Sequence, residues 1–457
     1  MIHYFRVALI PAYLLLCLLF GGASAAGFWV NMLLQLLAIP IIAWSLIAAR
    51  STPMASSARR LVLILLMIPL LVGLQLVPLP PSIWTRLPGR EAAVEGYRIL
   101  NQPLPWLPIS LSPYETWASA LWMLPAVAVL LGILRLGNFR ADWLAWTLII
   151  VTIMSVGLGA LQIMGGESSS WYFYQISNFG ATTGFFSNAN HFATLMVVTL
   201  PFLAALYLTG RSRGRSMQRS SGLFVVLAGA VTVVVVGIAL NGSLAGVGLS
   251  VPVLAATFMM IFAHKKKLPR WTVPLVTLLA IGSILLAFSA PFENNLTGDK
   301  ARTSEESRYT SFSRSLTAAK DFLPVGSGIG TFKDIYPRYE NPAKVTRIYM
   351  NHVHSDYIEL LLETGIPGMI ILILFLGWWT GRVISIWRAE DQDVYARAAT
   401  IATAAILAHS VVDYPLRTVA VGAVFAMCCA LMAEARPRTK RSQSEASDKR
   451  ARHLSAD

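Results

Sequence analysis

Two imidazoles and several carboxylates crowd one short stretch, Asn351-His352-Val353-His354-Ser355-Asp356-Tyr357-Ile358-Glu359, followed closely by Glu363-Thr364-Gly365 and Gly368. An imidazole with an ordinary pKa of about 6.5 can take or give a proton near neutrality. A carboxylate beside it can fix its tautomer. Either imidazole, His352 or His354, could act as the base, with Asp356 beside them. Charged groups at the mouth of an apolar helix are costly to desolvate, so function is the first reading. If the chain runs extended before that helix, His352, His354 and Asp356 face one way and a metal site is conceivable. The plainer alternative is a solvated helix start with Asp356 as its cap.

Guanidinium groups supply the complementary chemistry. Arg308 and Arg314 precede the run Lys320-Asp321-Phe322-Leu323-Pro324-Val325-Gly326-Ser327-Gly328-Ile329-Gly330-Thr331-Phe332, and their planar forks suit phosphate oxygens. Ordinary loop charges are the alternative. Residues 311–321 read as a short surface helix ended by a glycine turn. Gly326, Gly328 and Gly330 lack the G-x-x-x-x-G-K-[ST] spacing of a phosphate loop. A third polar group, Ser187-Asn188-Ala189-Asn190-His191, opens an apolar run. It could hydrogen-bond a sugar or cap the helix, and capping alone accounts for Asn188. A fourth is the turn His409-Ser410-Val411-Val412-Asp413-Tyr414-Pro415-Leu416-Arg417, where His409 and Asp413 stand one helical turn apart. Asp391-Gln392-Asp393 has the form of a nucleotide-sugar metal motif but reads as a solvated acidic turn.

These residues sit between long apolar stretches. Of 457 residues, 55% are hydrophobic and 13% charged, with a mean hydropathy of +0.60. Globular chains carry about 25% charged residues, so an ordinary cytosolic enzyme is excluded. The apolar runs are about 17 to 25 residues long, enough to cross a bilayer as helix, and they lack the alternation of a membrane barrel. The expected fold is an all-α polytopic membrane protein with twelve spans, the first near Tyr4, the tenth near Tyr357 and the last near Thr418. The membrane domain covers 1–434, with outer loops at 77–113 and 291–356. The larger loop, between the ninth and tenth spans, carries the candidate site. A basic tail follows at 435–457, expected to be disordered.

The net charge of +14 would suggest nucleic acid in a soluble protein. Here it reports topology. With the amino terminus inside, the short loops holding Arg59 and Arg60, Arg135 and Arg140, Arg211 to Arg219, and Lys265 to Arg270 all fall on the cytoplasmic side. Both termini are then cytoplasmic, and the bilayer rather than nucleic acid is the partner. Arg6 and the apolar stretch ending Ser24-Ala25-Ala26 also fit a cleaved signal peptide, which leaves the later topology unchanged. Cys17, Cys428 and Cys429 all lie within apolar runs and read as packing residues. No internal repeat of the kind common in carriers is evident.

The ordered motifs, N-x-N-H-F-A from Asn188, the arginine at 308, the D-x-x-P-x-G-x-G-x-G-T-F run, H-V-H-S-D-Y-I-E with its E-x-G-x-x-G continuation, and H-S-x-x-D-Y-P-L-R, resemble the O-antigen ligase and polymerase superfamily across about 184–417. The resemblance implies a bacterial inner-membrane enzyme with a periplasmic site. It would transfer a glycan from a polyprenyl (undecaprenyl) diphosphate carrier to a glycan or lipid A core acceptor, in company with other polysaccharide assembly proteins. It also implies that Arg308 holds the donor diphosphate and that His354 works near the acceptor. Arg314, His352, Asp356, Asn188, Asn190 and Arg417 would help bind substrate, with Glu363, His409 and Asp413 in support. The expected reaction is metal-independent, inverting and without cofactor. A repeat-unit polymerase is the first expectation, and a lipid A ligase or protein O-oligosaccharyltransferase the alternative. The rival class is a carrier or flippase for lipid-linked sugars. This chain departs from the family at Ser355, where Asn is usual, at Leu323 before Pro324, and at Leu244, where many relatives carry arginine. A second donor-holding charge would then come from Arg314 or Arg417.

Overall fold

Long apolar runs satisfy their backbone polar groups internally only as helix once they leave water, and the chain is built accordingly. The structure is a computed structural model, which describes residues 2–24, 29–48, 54–136, 139–212, 217–263, 271–289, 308–340, 342, 350–389 and 393–435. The first helices are α1 (Ile2–Phe20), α2 (Trp29–Ile47) and α3 (Ser56–Leu76). Two short ones, α4 (Pro81–Trp84) and α5 (Glu91–Ile99), occupy the proline-rich loop. Then come α6 (Pro113–Trp122) and α7 (Leu124–Leu136), which are nearly continuous, and α8 (Ala141–Gly165). The middle of the chain forms α9 (Ala189–Ser212), α10 (Met217–Asn241), α11 (Leu244–Ala263) and α12 (Thr272–Ser289). Helices α13 (Arg308–Phe322) and α14 (Phe332–Ile335) lie in the second large loop. Last come α15 (Asp356–Arg388), α16 (Val394–His409) and α17 (Val419–Glu434).

The expectation of an all-helical chain holds among the described residues, with α6 and α7 nearly continuous as one stretch. Among the described residues, eight helical stretches are long and apolar enough to cross a membrane, while Arg6–Phe20, Pro274–Leu285, Val394–His409 and Val419–Glu434 are shorter apolar helices. The shortness of α16 and α17 has a packing reason. Both are largely buried within the bundle, and a helix sealed by protein need not match the hydrocarbon thickness. Together with α9 they form the centre. Ala396, Ala399, Ala402, Ala420, Ala423, Ala430 and Ala433 are all fully buried there, because small side chains let helix backbones approach closely in a membrane bundle.

The connections on one end of the bundle knit together. Gly22 bridges Phe186, Ser110 N–H donates to Gln75 O, Leu111 N–H to Ser327 O, and Ala420 N–H to Gly21 O. Exposed aromatics ring this end, among them Trp106, Tyr114, Trp117 and Trp171, a composition suited to a membrane interface. The opposite end carries Arg59, Arg60, Arg135, Arg140, Arg382 and Arg388. The segment 436–457, expected to be a disordered tail, lies outside the described residues.

Candidate active site

Helix α15 begins at the knitted end, and its first two turns present Asp356, Glu359 and Glu363 on one face, since positions i, i+3 and i+7 are stacked neighbours on a helix. Arg417 faces all three. Its guanidinium lies 3.7 Å from Asp356 Oδ1, 3.4 Å from Glu359 Oε1 and 3.1 Å from Glu363 Oε2. Burial alone would lower the Arg417 pKa, but the carboxylates of Glu359, Glu363 and Asp356 outweigh it and raise the pKa above its ordinary value. The remaining carboxylate oxygens find other donors. Glu359 accepts from Val353 N–H at 2.9 Å and pairs with His352 Nδ1 at 2.8 Å, Glu363 Oε1 accepts from Gly330 N–H at 2.8 Å, and Ser410 Oγ donates to Asp356 Oδ2 at 2.7 Å.

Beside this acidic face lies its inverse, one carboxylate among imidazoles. Asp413 is fully buried. Its Oδ1 stands 3.3 Å from His354 Nδ1 and 3.8 Å from His191 Nε2, and its Oδ2 stands 3.8 Å from His409 Nε2. Burial would push the Asp413 carboxyl up, yet the facing His191 and His354 hold it well below the ordinary carboxylate range. Tyr414 N–H donates to Oδ1 at 2.9 Å. The Tyr414 ring sits between the two clusters, 4.8, 4.6 and 4.8 Å from the rings of His191, His352 and His354. Burial, then the nearby Asp413 charge, raises its phenol above the usual pKa, so it serves as a neutral wall.

The histidines differ in access. His191 and His409 are fully buried, whereas the His354 side chain is 19% exposed. Its Nδ1 is itself buried, so the exposed part of the ring lies away from Asp413. His354 also has a backbone φ of +60°, a left-handed conformation uncommon for a residue with a side chain and typical of positions held by their surroundings. That turn corrects the extended path considered from the sequence. His352, His354 and Asp356 do not share a direction but engage Glu359, Asp413 and Ser410 respectively. Among the described residues, no group of three His, Cys, Asp or Glu side chains is arranged to hold a metal ion.

The glycine run turns out to be a brace. Ser327 N–H donates to Leu362 O, Gly328 N–H to Glu363 O and Gly326 N–H to Phe322 O, and Ile329 N–H donates to Gln75 Oε1. With Gly330 committed to Glu363, these amides are already paired within the protein. The run docks where α15 breaks at Gly365, whose φ of 57° and ψ of −147° belong to a region essentially reserved for glycine. A Cβ there would collide with Pro324 O. Ile366 N–H then donates to Pro324 O at 2.8 Å. Arg90, only 1% exposed, clamps the run from the other loop, donating to Pro88 O, Ile109 O and Gly326 O. Burial lowers its pKa to about 10.

Other sequence candidates fall into place around these clusters. Asn188 Oδ1 accepts from Asn190 N–H at 2.8 Å, capping α9, and Asn190 Oδ1 accepts from Ser243 Oγ at 2.7 Å. Their carbonyl oxygens are thus engaged by the protein. His409 Nδ1 contacts Thr194 Oγ1 at 2.7 Å. Asp393 caps α16 through Tyr395 and Ala396 N–H, while Asp391 lies outside the described residues. Arg308 opens α13, with its side chain outside the described residues, and Arg314 is half-buried one to two turns on. The first turns of α13 lean on the chain just before His354, since Ser311 Oγ reaches Met350 Sδ at 3.0 Å and Val353 O at 3.4 Å. Sequence reasoning gave no role to Glu359, Tyr414 or Arg90 and read His191 only as a sugar-binding or capping residue. The i, i+3, i+7 spacing would have exposed Glu359, and His191 and Tyr414 lie within the motifs, but nothing in the sequence marked Arg90.

Residues 229–373 match the family model described as O-antigen ligase. The match takes in α13, the glycine run and the acidic face of α15, and stops before the Asp413 turn. None of the curated proteins compared with the chain matches it. Over that stretch, about a third of the chain, the sequence is similar to the O-antigen ligase family.

Proposed function

We propose, on the premise of that family match, that the protein transfers a glycan from a polyprenyl diphosphate carrier, undecaprenyl diphosphate by family resemblance, to an acceptor hydroxyl at the outer face of a bacterial inner membrane, and that it is a repeat-unit polymerase. The observation that carries the reading is the pairing of the accessible His354 with the buried Asp413 carboxylate at 3.3 Å. With Nδ1 turned to the carboxylate, Nε2 is the atom left to accept a proton, the geometry of an oriented general base. The acceptor oxygen bonds to the donor anomeric carbon from the face opposite the diphosphate. Its proton passes to His354 Nε2, and the carbon–oxygen bond to the diphosphate breaks with inversion. Asp413 steadies the imidazolium as it forms.

Charge on the leaving diphosphate needs fixed cations. Arg417 is enclosed by three carboxylates, which favours a bracing role for it and leaves the donor phosphates to Arg308 and Arg314. The ring of exposed aromatics at this end suits a site at headgroup height, where a lipid diphosphate would lie. The H-S-x-x-D-Y-P-L-R turn favours polymerase over ligase by resemblance.

The test uses purified protein in liposomes with a polyprenyl-diphosphate glycan. Formation of a new glycosidic bond without an ion gradient is expected, and relocation of substrate without bond formation would make the protein a carrier. His354→Ala should abolish transfer in folded protein, and full product from it would refute the base assignment. In a deletion strain, single repeat units on the surface are expected, whereas long chains left unattached would make the protein a ligase.

A further inference from the structure

The largest assembly of unexplained features lies at the other end of the bundle. A cavity of about 960 Å³ opens between the start of α3, the second half of α15 and Ala435 just after α17. Ser56, Ser57, Arg60, Arg382 and Ser385 line its polar part, and Leu63, Ile64, Trp378 and Leu374 line its apolar part. Among the described residues, two arginines and no carboxylate line it. The two helices run in opposite directions, so from Arg60 to Ile64 and from Arg382 to Leu374 the lining changes from cationic to apolar over roughly 6 to 12 Å of helix. That gradient matches a lipid, with an anionic headgroup above and an acyl chain below.

The cavity is also rigid. Trp378 Nε1–H donates to Ser57 O at 2.9 Å, Ser57 Oγ donates to Ala433 O at 2.6 Å, and Arg382 donates to Met432 O and Ala435 O at 2.6 Å each. These bonds close off the carbonyl end of α17 and fix the floor. Arg382 is therefore spent on structure, and Arg60, which is exposed, is the arginine positioned to meet a ligand. The first turn of α3 assists it, because its N-cap Ala55 supplies no side-chain acceptor and helix amino termini favour anions. Gly377 and Gly381, one turn apart on the α15 wall, have nothing within 4 Å of where a Cβ would stand. They leave the room that a chain would fill.

We propose that this cavity is a binding site for one anionic phospholipid, with its phosphate at Arg60 and the first turn of α3 and one acyl chain along Leu63, Ile64 and Leu374. Neither the transfer reaction nor the choice of substrate enters this argument, so the two proposals stand or fall separately.

The test measures thermal unfolding and lipid retention of the full-length protein in detergent, with added dioleoylphosphatidylglycerol or dioleoylphosphatidylcholine. Phosphatidylglycerol should raise the unfolding temperature more than phosphatidylcholine does. Arg60→Gln should weaken phosphatidylglycerol binding about fivefold, the effect of one basic residue near an anionic membrane surface. Gly377→Leu should fold and lose binding of both lipids, since it fills space and replaces a poor helix former. Equal responses to the two lipids, or an unchanged response in Arg60→Gln, would overturn the proposal. So would a wild-type dimer that dissociates in Gly377→Leu, or a lipid response seen only after deletion of 436–457. Those two results would assign the cavity to a second copy or to the chain's own carboxyl-terminal segment.

Discussion

Replacing Asp413 by Asn removes one charge and little volume, and it separates the chemical role of this carboxylate from its structural one. At an effective dielectric of about 20, a carboxylate 3.3 Å from an imidazolium contributes about 5 kcal/mol of attraction. Most of that becomes available only as His354 takes up the acceptor proton. Part is offset because Asn still accepts a hydrogen bond, so a loss of about 3 to 5 kcal/mol in the transition state is expected. This corresponds to a fall in kcat of about 10² to 10⁴, and Asp→Asn in a serine-protease triad reaches about 10⁴. KM should change little, because Asp413 is fully buried and touches no substrate. Single-turnover transfer from a lipid-linked glycan measures the rate, and thermal unfolding in detergent checks the fold. The stability difference has a defined pH dependence. The Asp413 pKa is held below its unfolded value, so its stabilisation is fully present above the unfolded pKa of about 3.9. It is lost as pH falls through the folded pKa. The gap in unfolding temperature between wild type and Asp413→Asn should therefore shrink as pH falls below about 3.9. A folded Asp413→Asn protein that keeps more than about a tenth of wild-type kcat would refute the oriented-base account.

Substitutions at three further positions probe the site. Arg417→Ala leaves Asp356, Glu359 and Glu363 facing one another, and loss of one partner from a buried ion network costs about 3 to 5 kcal/mol. A marked fall in unfolding temperature is expected, smaller in Arg417→Lys, and an unaltered melt would show that the network is not stabilising. Gly365→Ala forces a side chain into a glycine-only conformation, at about 1 to 3 kcal/mol, and against Pro324 O and Gly326 N. Limited proteolysis should then cut between Phe322 and Phe332, and protection equal to wild type would count against the docking described. Arg308→Lys should lose transfer because a point charge cannot reproduce a bidentate grip on phosphate, and normal turnover would remove Arg308 from donor binding.

Much of the architecture was legible from local pattern. Apolar runs marked the helices, and the glycine turn marked the end of α13 at Phe322. Among the described residues, the eight helical stretches with the length and hydropathy of a span include both largely uncovered ones, such as Ser56–Leu76, and the largely buried Ala189–Gly210. Short α16 and α17 depend instead on close alanine packing at the bundle centre.

The site was legible as a set of residues and not as an arrangement. Alternation along an extended chain put His352, His354 and Asp356 together, but the left-handed backbone at His354 separates them. The glycines at 326, 328 and 330 suggested a loop by type, and only the break of α15 at Gly365 explains what they grip. Arg417 looked like a free guanidinium until three carboxylates were found around it. Hydropathy and turn preference are sums over neighbouring residues, so the sequence by itself determined a helical membrane bundle and the motifs at its helix ends. Ion pairing is decided within about 4 Å between segments far apart in the chain. Only the tertiary structure, by packing α9, α15 and the turn after α16 at one end, brought His191, His354 and His409 to Asp413.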